Sequence, residues 1–354
     1  MYRYEDIREV HLEITTRCNA SCPQCPRNLS GGAVNPALPM AELTLSDVRR
    51  IFPRELVTRL RKLYACGNYG DPMVAKDTLE IFRYFRAANP TMELGMFTNG
   101  SGRTATFWED LAKTVSYVRF SIDGLEDTNH VYRRGTQWTR IMESVTAFIA
   151  AGGRAEWDFI VFRHNEHQIE EARALAEKIG FRRFFVKKTS RFFSAGTVSD
   201  KRVLERDGSD AYVIEEPENP ILRNPAVVRL AQIDRFSSYQ AEADITCKAT
   251  AHGRVYVSAE GLVFPCCWTG ALYPPGRAAG TAQMWDLVRR LPREKASLDA
   301  RESSIREIVE GPFFQELVPA GWPKRSVKDG RLEPCVRACG TYDAHSAQHG
   351  ESLL

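Results

Sequence analysis

The sequence predicts an α/β protein built on a parallel sheet. Short strand-like runs alternate with helix-like runs through the first half of the chain, the pattern of parallel strands joined by crossover helices. Polar and glycine-containing motifs recur just after those strands, where α/β barrels keep their chemistry. Nine cysteines cluster toward the two ends of the chain.

The first strand is the alternating run Val10, Leu12, Ile14. Residues 28–43 are rich in Gly, Pro and Ala and read as a loop. Residues 46–60 read as one helix with Val48, Ile51, Phe52 and Leu56 on one face. Residues 62–66 form a short strand, followed by Gly67-Asn68-Tyr69-Gly70-Asp71-Pro72. A helix over 76–88 carries Leu79, Phe82 and Phe85 along one side and stops before Pro90, which disfavours helical geometry in the residue ahead of it. The third strand, 92–97, ends at Thr98-Asn99-Gly100. A helix over 104–113 leads to the fourth strand, 115–121, which closes at Asp123-Gly124. A helix over 136–151 is capped by Gly152-Gly153. The fifth strand is 155–162, the next helix 166–179, and the sixth strand 182–186. Six such units are too few for a closed eightfold barrel.

Residues 197–246 read as a mixed polar connection with Pro217, Pro220 and Pro225 and one helix over 227–235. Beyond it, 254–258 and 262–264 alternate like a hairpin around Ala259-Glu260-Gly261. The expected organisation is a main domain over 1–196, a connecting segment over 197–246, and a smaller domain over 247–354. No internal repeat or low-complexity tract interrupts this order.

The chain has 354 residues, 43% hydrophobic and 26% charged, ordinary values for a globular protein. A net charge of +3 does not argue for a nucleic acid or an anionic membrane as partner. No apolar run approaches the length of a membrane span. The first residues, MYRYEDIREVHLEI, are charged and lack a secretory hydrophobic region. An odd number of cysteines beside such a start favours metal ligation over disulfides, and the expected compartment is the cytoplasm.

Cys18, Cys22 and Cys25 stand in a C-x3-C-x2-C spacing just after the first strand. Three thiolates this close cannot all pair as disulfides. They can converge on one iron–sulfur cluster, because soft thiolates suit iron. A 4Fe–4S cluster has four irons, so one stays open to a ligand that is not protein. Spacing alone also admits structural or zinc-binding cysteines. With this motif the chain resembles the radical S-adenosylmethionine (radical SAM) enzymes. In that family the open iron chelates SAM, which is cleaved to methionine and a 5′-deoxyadenosyl radical that removes a substrate hydrogen. The resemblance implies a partial (β/α)6 barrel of parallel strands.

Cys247, thirteen residues, Gly261, four residues and Cys266 resemble the opening of the SPASM and twitch domains, with Cys335 and Cys339 following. Five cysteines suffice for one cluster, so the shorter twitch version, a small α+β domain, is the better match. The resemblance implies Cys247, Cys266, Cys335 and Cys339 as ligands of one auxiliary 4Fe–4S cluster. A four-thiolate zinc ribbon has compatible spacing. Cys266 and Cys267 are neighbours on an expected strand and should point opposite ways, which leaves Cys267 spare.

The resemblance also marks candidate SAM contacts. Gly70, Asp71 and Pro72 occupy the place of the family's Gly-Gly-Glu-Pro motif, where an acidic side chain holds the SAM amino group; an ordinary Gly-Asp-Pro turn is the plainer reading. Ser121 and Asp123 stand where ribose or carboxylate contacts lie, with capping the alternative for Asp123. Thr98 and Asn99 line the same expected pocket. Arg133 or Arg134 is placed to pair a carboxylate, or is simply solvated. Asn165 lies in the adenine region, and helix capping is its favoured role. Gln24 replaces the family's aromatic residue before the third cysteine, which puts that adenine contact in question. Lys187, Lys188 and Arg191 either bind an anionic substrate or form a solvated strand end. Cys66 and Cys267 are candidate hydrogen-atom donors, with a small buried hydrophobe the plainer reading of Cys66.

The implied activity is SAM cleavage driven by a flavodoxin- or ferredoxin-type reductant. The auxiliary cluster would then assist oxidation of a small molecule or peptide. Epimerisation through a cysteine thiol, or a peptide crosslink, are alternative outcomes. With no module expected ahead of the first strand, a small molecule or short peptide is favoured. A two-cluster electron-transfer protein without catalysis is the reading from another class.

Overall fold

The computed structural model describes every residue except 195, 234–235, 275–278, 343–346, 348 and 353–354. Six strands, β1 (Glu9–Leu12), β2 (Lys62–Ala65), β3 (Glu93–Thr98), β4 (Tyr117–Ser121), β5 (Ala155–Ile160) and β6 (Arg183–Lys187), pair in sequence order and in parallel. The predicted parallel α/β core is therefore present. Its crossover helices are α1 (Leu45–Ile51), α2 (Arg54–Val57), α3 (Thr78–Ala88), α4 (Ala105–Ala112), α5 (Asn129–Tyr132), α6 (Trp138–Ala150) and α7 (Ile169–Ile179).

The expected helix over 46–60 is two helices. Pro53 donates no hydrogen bond and restricts Phe52, whose backbone leaves the helical region at φ −115°, ψ 80°. Two antiparallel strand pairs stand at the start of the expected connection and just before it: β7 (Phe193–Ser194) with β8 (Thr197–Val198), and β9 (Lys201–Leu204) with β10 (Asp210–Ile214). Two short helices follow, α8 (Pro225–Ala231) and α9 (Phe236–Glu242). The predicted helix over 227–235 thus starts earlier, at Pro225, with Asn224 as its cap. Its expected last residues, 234–235, lie outside the described residues.

After α10 (Lys248–His252), the expected hairpin forms from β11 (Arg254–Val257) and β12 (Val263–Phe264). β11 also pairs in parallel with β1, Glu9 opposite Arg254 and Leu12 opposite Val257. The 247–354 segment therefore extends the main sheet. It continues through α11 (Ala279–Arg289), α12 (Ile305–Glu310) and α13 (Glu333–Cys339). The strand β13 (His349–Ser352) then lies antiparallel to β6 at the other edge of a nine-stranded sheet.

Alternation along the strands divides the two faces of the sheet. Val10, Leu12, Leu63, Ala65, Leu94, Val118, Phe120, Trp157 and Phe184 are fully buried against the helices. Each large side chain so buried is worth about 2–3 kcal/mol. The intervening positions include the polar residues Glu9, His11, Arg119, Glu156, Asp158, Lys187 and Arg254, with Tyr64, Phe97 and Phe185 among them. They pair with one another across the inner face, Arg119 with Glu156 at 2.6 Å and Lys187 with Asp158 at 2.6 Å. A sheet with an apolar back and a polar inner face positions its chemistry on that inner side.

Candidate cofactor site

The cysteine loop leaves β1 between two anchors. Leu43 N donates to Ile14 O, and Thr16 N to Ala41 O, so residues 17–40 form a closed excursion. Within it Cys25 N donates to Cys22 O in a tight turn, and Ser21 N is held by Arg134 O. Cys18, Cys22 and Cys25 are electrostatic neighbours in this loop. Burial pushes the Cys22 thiol up to about 11 while Arg133 pulls it back, and burial with the Asp71 charge raises Cys18 further. A thiolate at either position therefore needs a cationic centre beside it, which a metal cluster supplies.

Donors surround these sulfurs. Cys18 Sγ lies 3.3 Å from Ala20 N and 3.8 Å from Asn99 Nδ2, and Cys22 Sγ lies 3.7 Å from Arg133 Nη1. Both amide atoms of Gln24, between the second and third cysteines, are buried without a partner among the described residues. Three soft sulfurs on one loop, Cys22 buried and Cys18 and Cys25 half-buried, with N–H donors around them and an unsatisfied amide beside them, fit a three-ligand 4Fe–4S cluster and a polar organic ligand.

The loop after β2 is pressed against the cysteine loop. A Cβ on Gly70 would lie 1.8 Å from Thr15 O, so only glycine permits this approach. Asp71 N donates to Arg17 O at 2.9 Å. From beneath, the buried Glu13 carboxyl accepts from Tyr69 N at 2.7 Å and Gly70 N at 3.2 Å, and from the Tyr256 hydroxyl. Glu13 has no obvious sequence signal, because it falls in the first strand's alternation as an ordinary polar position. Burial raises its carboxyl to about 7, against the opposing hydrogen bonds.

The other candidate residues fall around the same end of the sheet. Asp71 is buried, and its carboxylate accepts from Asn99 N, Asn99 Nδ2 and Met73 N at 2.7, 2.8 and 3.0 Å. Pro72 starts the short turn that follows. Thr98 is buried and accepts from Gly100 N. The Ser121 side chain at the end of β4 makes no hydrogen bond among the described residues. Asp123 binds inward instead, with Oδ1 accepting from Ile160 N at 2.6 Å and Oδ2 from Arg133 Nε at 2.5 Å. Arg133 is thus a buried, paired cation bridging Asp123 and Cys22. Arg134 holds Leu204 O and Glu205.

Several expectations need correcting. The Asn165 side chain caps no helix. It donates to Asp123 O and Ile160 O and accepts from Phe162 N, stitching β4 to β5. Lys187, Lys188 and Arg191 are not a free cationic rim: they hold Asp158, Ile221 O and Gln24 O respectively. Cys266 and Cys267 lie in a turn after β12, not on a strand, yet they do diverge. Cys266 neighbours Cys247, whereas Cys267 neighbours Cys66 at the end of β2. Burial pushes the Cys66 thiol up to about 12 and raises Cys267 further, so both are neutral thiols.

Cys247 opens α10 and Cys339 closes α13, and the neighbouring Cys339 thiol, with the α10 backbone, pulls Cys247 down to about 6. Cys335 neighbours Cys247 and Cys266. The four cysteines are therefore brought together. Among the described residues no three His, Cys, Asp or Glu gather closely enough for a single metal ion.

Residues 12–176 match the sequence profile described as the Radical SAM superfamily. Molybdenum cofactor biosynthesis protein 1 of Drosophila melanogaster is 24% identical over 162 residues, 45% of this chain, and the chain spans only 28% of that protein's length. Among solved structures, SuiB of Streptococcus suis bound to its precursor peptide SuiA superposes with a TM-score of 0.53 at 14% identity, covering 93% of this chain and 76% of that one. The structure of anSMEcpe with bound AdoMet gives 0.52 at 11% identity, covering 90% and 81%. At these identities the likeness is one of fold. No helix among the described residues is long and apolar enough to cross a membrane. Residues 12–176, which carry the cysteine loop and the parallel sheet that presents it, are thus similar to the Radical SAM superfamily over that stretch.

Proposed function

We propose that the protein is a radical SAM enzyme that oxidises a small molecule or short peptide, with the 247–354 segment holding an auxiliary 4Fe–4S cluster as a twitch-type domain does. The observation that carries the reading is the three-cysteine loop with the Gly70–Asp71 loop pinned against it. A 4Fe–4S cluster with SAM bound supplies reductive sulfonium cleavage and a 5′-deoxyadenosyl radical able to take a substrate hydrogen.

The chain's part is to orient and enclose. Cys18, Cys22 and Cys25 would hold the cluster. Asn99, fixed by Asp71, and Ser121, uncommitted at the end of β4, would meet the polar atoms of SAM, with Thr98 and Asn165 shaping the pocket. The orphaned Gln24 amide is available to the adenine edge, which carries donors and acceptors that an amide matches. Cys247, Cys266, Cys335 and Cys339 would hold the auxiliary cluster, whose role is to accept the substrate electron. A flavodoxin or ferredoxin of the cytoplasm would supply the first electron.

A second reading has its own observation. Cys66 and Cys267 are neighbouring neutral thiols on the inner side, suited to returning a hydrogen atom and so to epimerisation. Anaerobic reconstitution with iron and sulfide, followed by SAM and dithionite, tests the shared step. Release of 5′-deoxyadenosine is the expected result, and its absence with the first cluster intact refutes enzyme function in favour of an electron carrier. Product two hydrogens lighter than substrate marks oxidation. Solvent deuterium at one stereocentre marks epimerisation.

A further inference from the structure

A second concavity lies between the segment after β6, helix α9 and helix α13, away from the Gly70–Asp71 loop. Its walls are aromatic. Phe193 and Phe236 meet edge to face at 5.2 Å, Phe236 and Tyr239 lie 5.9 Å apart, and Tyr239 stacks on Tyr342 at 5.4 Å and 18°. Two charged residues one helical turn apart on α13, Glu333 and Arg337, line it as well.

Neither charge has an ion-pair partner among the described residues. Arg337 is open to solvent although protein surrounds it, and among the described residues it has no ion-pair or hydrogen-bond partner. Its guanidinium lies over the Trp268 ring at 5.2 Å, a stacking that leaves the N–H edge free. Glu333 is not within ion-pair distance of it, and Glu333 Oε2 is buried without a hydrogen-bond partner. Arg191 and Lys201 add positive charge nearby. A carboxylate acceptor, a donor for Glu333 and an aromatic body between them would satisfy every open group of this pocket.

Arg337 stands between Cys335 and Cys339, and Arg191, next in sequence to the lining residue Ser190, donates to Gln24 O in the first cysteine loop at 3.0 Å. Through Glu333, Val336 and Arg337 the pocket borders the helix that carries Cys335 and Cys339.

We propose that this pocket binds an aromatic amino acid with a free carboxylate, either as the free amino acid or as the last residue of a peptide. Its carboxylate pairs with Arg337, its nitrogen donates to Glu333, and its ring enters the Phe193–Phe236–Tyr239–Tyr342 wall. That this ligand is the substrate rests on the radical SAM reading; that it binds does not.

The test is isothermal titration calorimetry on the full-length, anaerobically reconstituted protein without reductant. L-Phenylalanine and glycyl-glycyl-phenylalanine are the two arms, and L-phenylalaninamide is the carboxylate-free control. Binding in either arm, weakened about tenfold or more by the amide and by Arg337→Gln, is the expected result. Tighter binding of phenylalanine than of the tripeptide, lost selectively in Glu333→Gln, assigns the free amino acid; the reverse order assigns a peptide terminus. No heat in either arm overturns the proposal. So does an affinity unchanged in both the amide control and Arg337→Gln. The amide comparison uses the unaltered protein and does not depend on any variant folding. Binding without SAM cleavage would leave the pocket standing and remove the radical SAM function; cleavage without binding would do the opposite.

Discussion

The Asp71 carboxylate holds Asn99 twice, accepting from its backbone N at 2.7 Å and its Nδ2 at 2.8 Å. Asn99 in turn donates to Asn19 Oδ1 at 2.9 Å and lies 3.8 Å from Cys18 Sγ. Asp71 thereby couples the loops after β2 and β3 to the cysteine loop. It organises the pocket as much as it lines it.

Asp71→Ala leaves two buried donors of Asn99 unpaired, at a cost of about 1–3 kcal/mol. The expected outcome is a lower thermal midpoint and SAM affinity weakened at least tenfold, with the iron content of the first cluster largely kept. Equal SAM affinity in titration calorimetry would remove Asp71 from the site.

Glu13 makes the loop after β2 sensitive to pH. Its carboxyl is raised by burial from an ordinary 4.5 to about 7. The folded protein therefore holds a proton that the unfolded chain has lost between those values. The associated stability is present below about pH 4.5 and lost as pH rises through about 7, a difference of about 3 kcal/mol. Glu13→Gln keeps an acceptor for Tyr69 N and Gly70 N and should flatten this slope. Thermal midpoints at pH 5 and pH 8 measure it, and an equal fall in both proteins refutes the assignment.

Strand order and the cysteine loop were legible because both are local. Val10, Leu12 and Ile14 announce a strand by alternation alone, and the cysteine spacing needs no fold to be read. What was hidden depends on contacts between distant residues. Arg254 returns to Glu9 across 245 positions, so only the sheet register shows that β11 joins β1. Lys187 reads as a free cation until the register of β5 and β6 puts Asp158 2.6 Å away. Asn165 precedes a helix, which is a capping signal, but the strand ends beside it offer more partners than the helix does. Pro53 was visible in the sequence and outweighed the apolar spacing across it, a local rule that periodicity obscured.

The buried pair of Arg133 and Asp123 is held at 2.5 Å, with Asp123 fully buried. Breaking it from one side strands a charge, so Arg133→Met should destabilise by about 3–5 kcal/mol. Arg133→Met with Asp123→Asn should recover part of that loss, because no uncompensated carboxylate remains. Additive losses in denaturant unfolding would show that the pair is not coupled.

On the proposed reading the two cysteine sets should separate by metal content. Cys18→Ala, Cys22→Ala and Cys25→Ala each remove a ligand from the first cysteine loop and are expected to abolish 5′-deoxyadenosine formation. Cys335 neighbours Cys247 and Cys266, so Cys335→Ala should lower iron toward half while cleavage stays measurable. Cys267 turns instead toward Cys66, so Cys267→Ala should keep the full iron load and the spectrum of both clusters. Iron per chain after anaerobic reconstitution decides between them. A Cys335→Ala protein with undiminished iron, or a Cys267→Ala protein with half, would reassign the ligands of the second set.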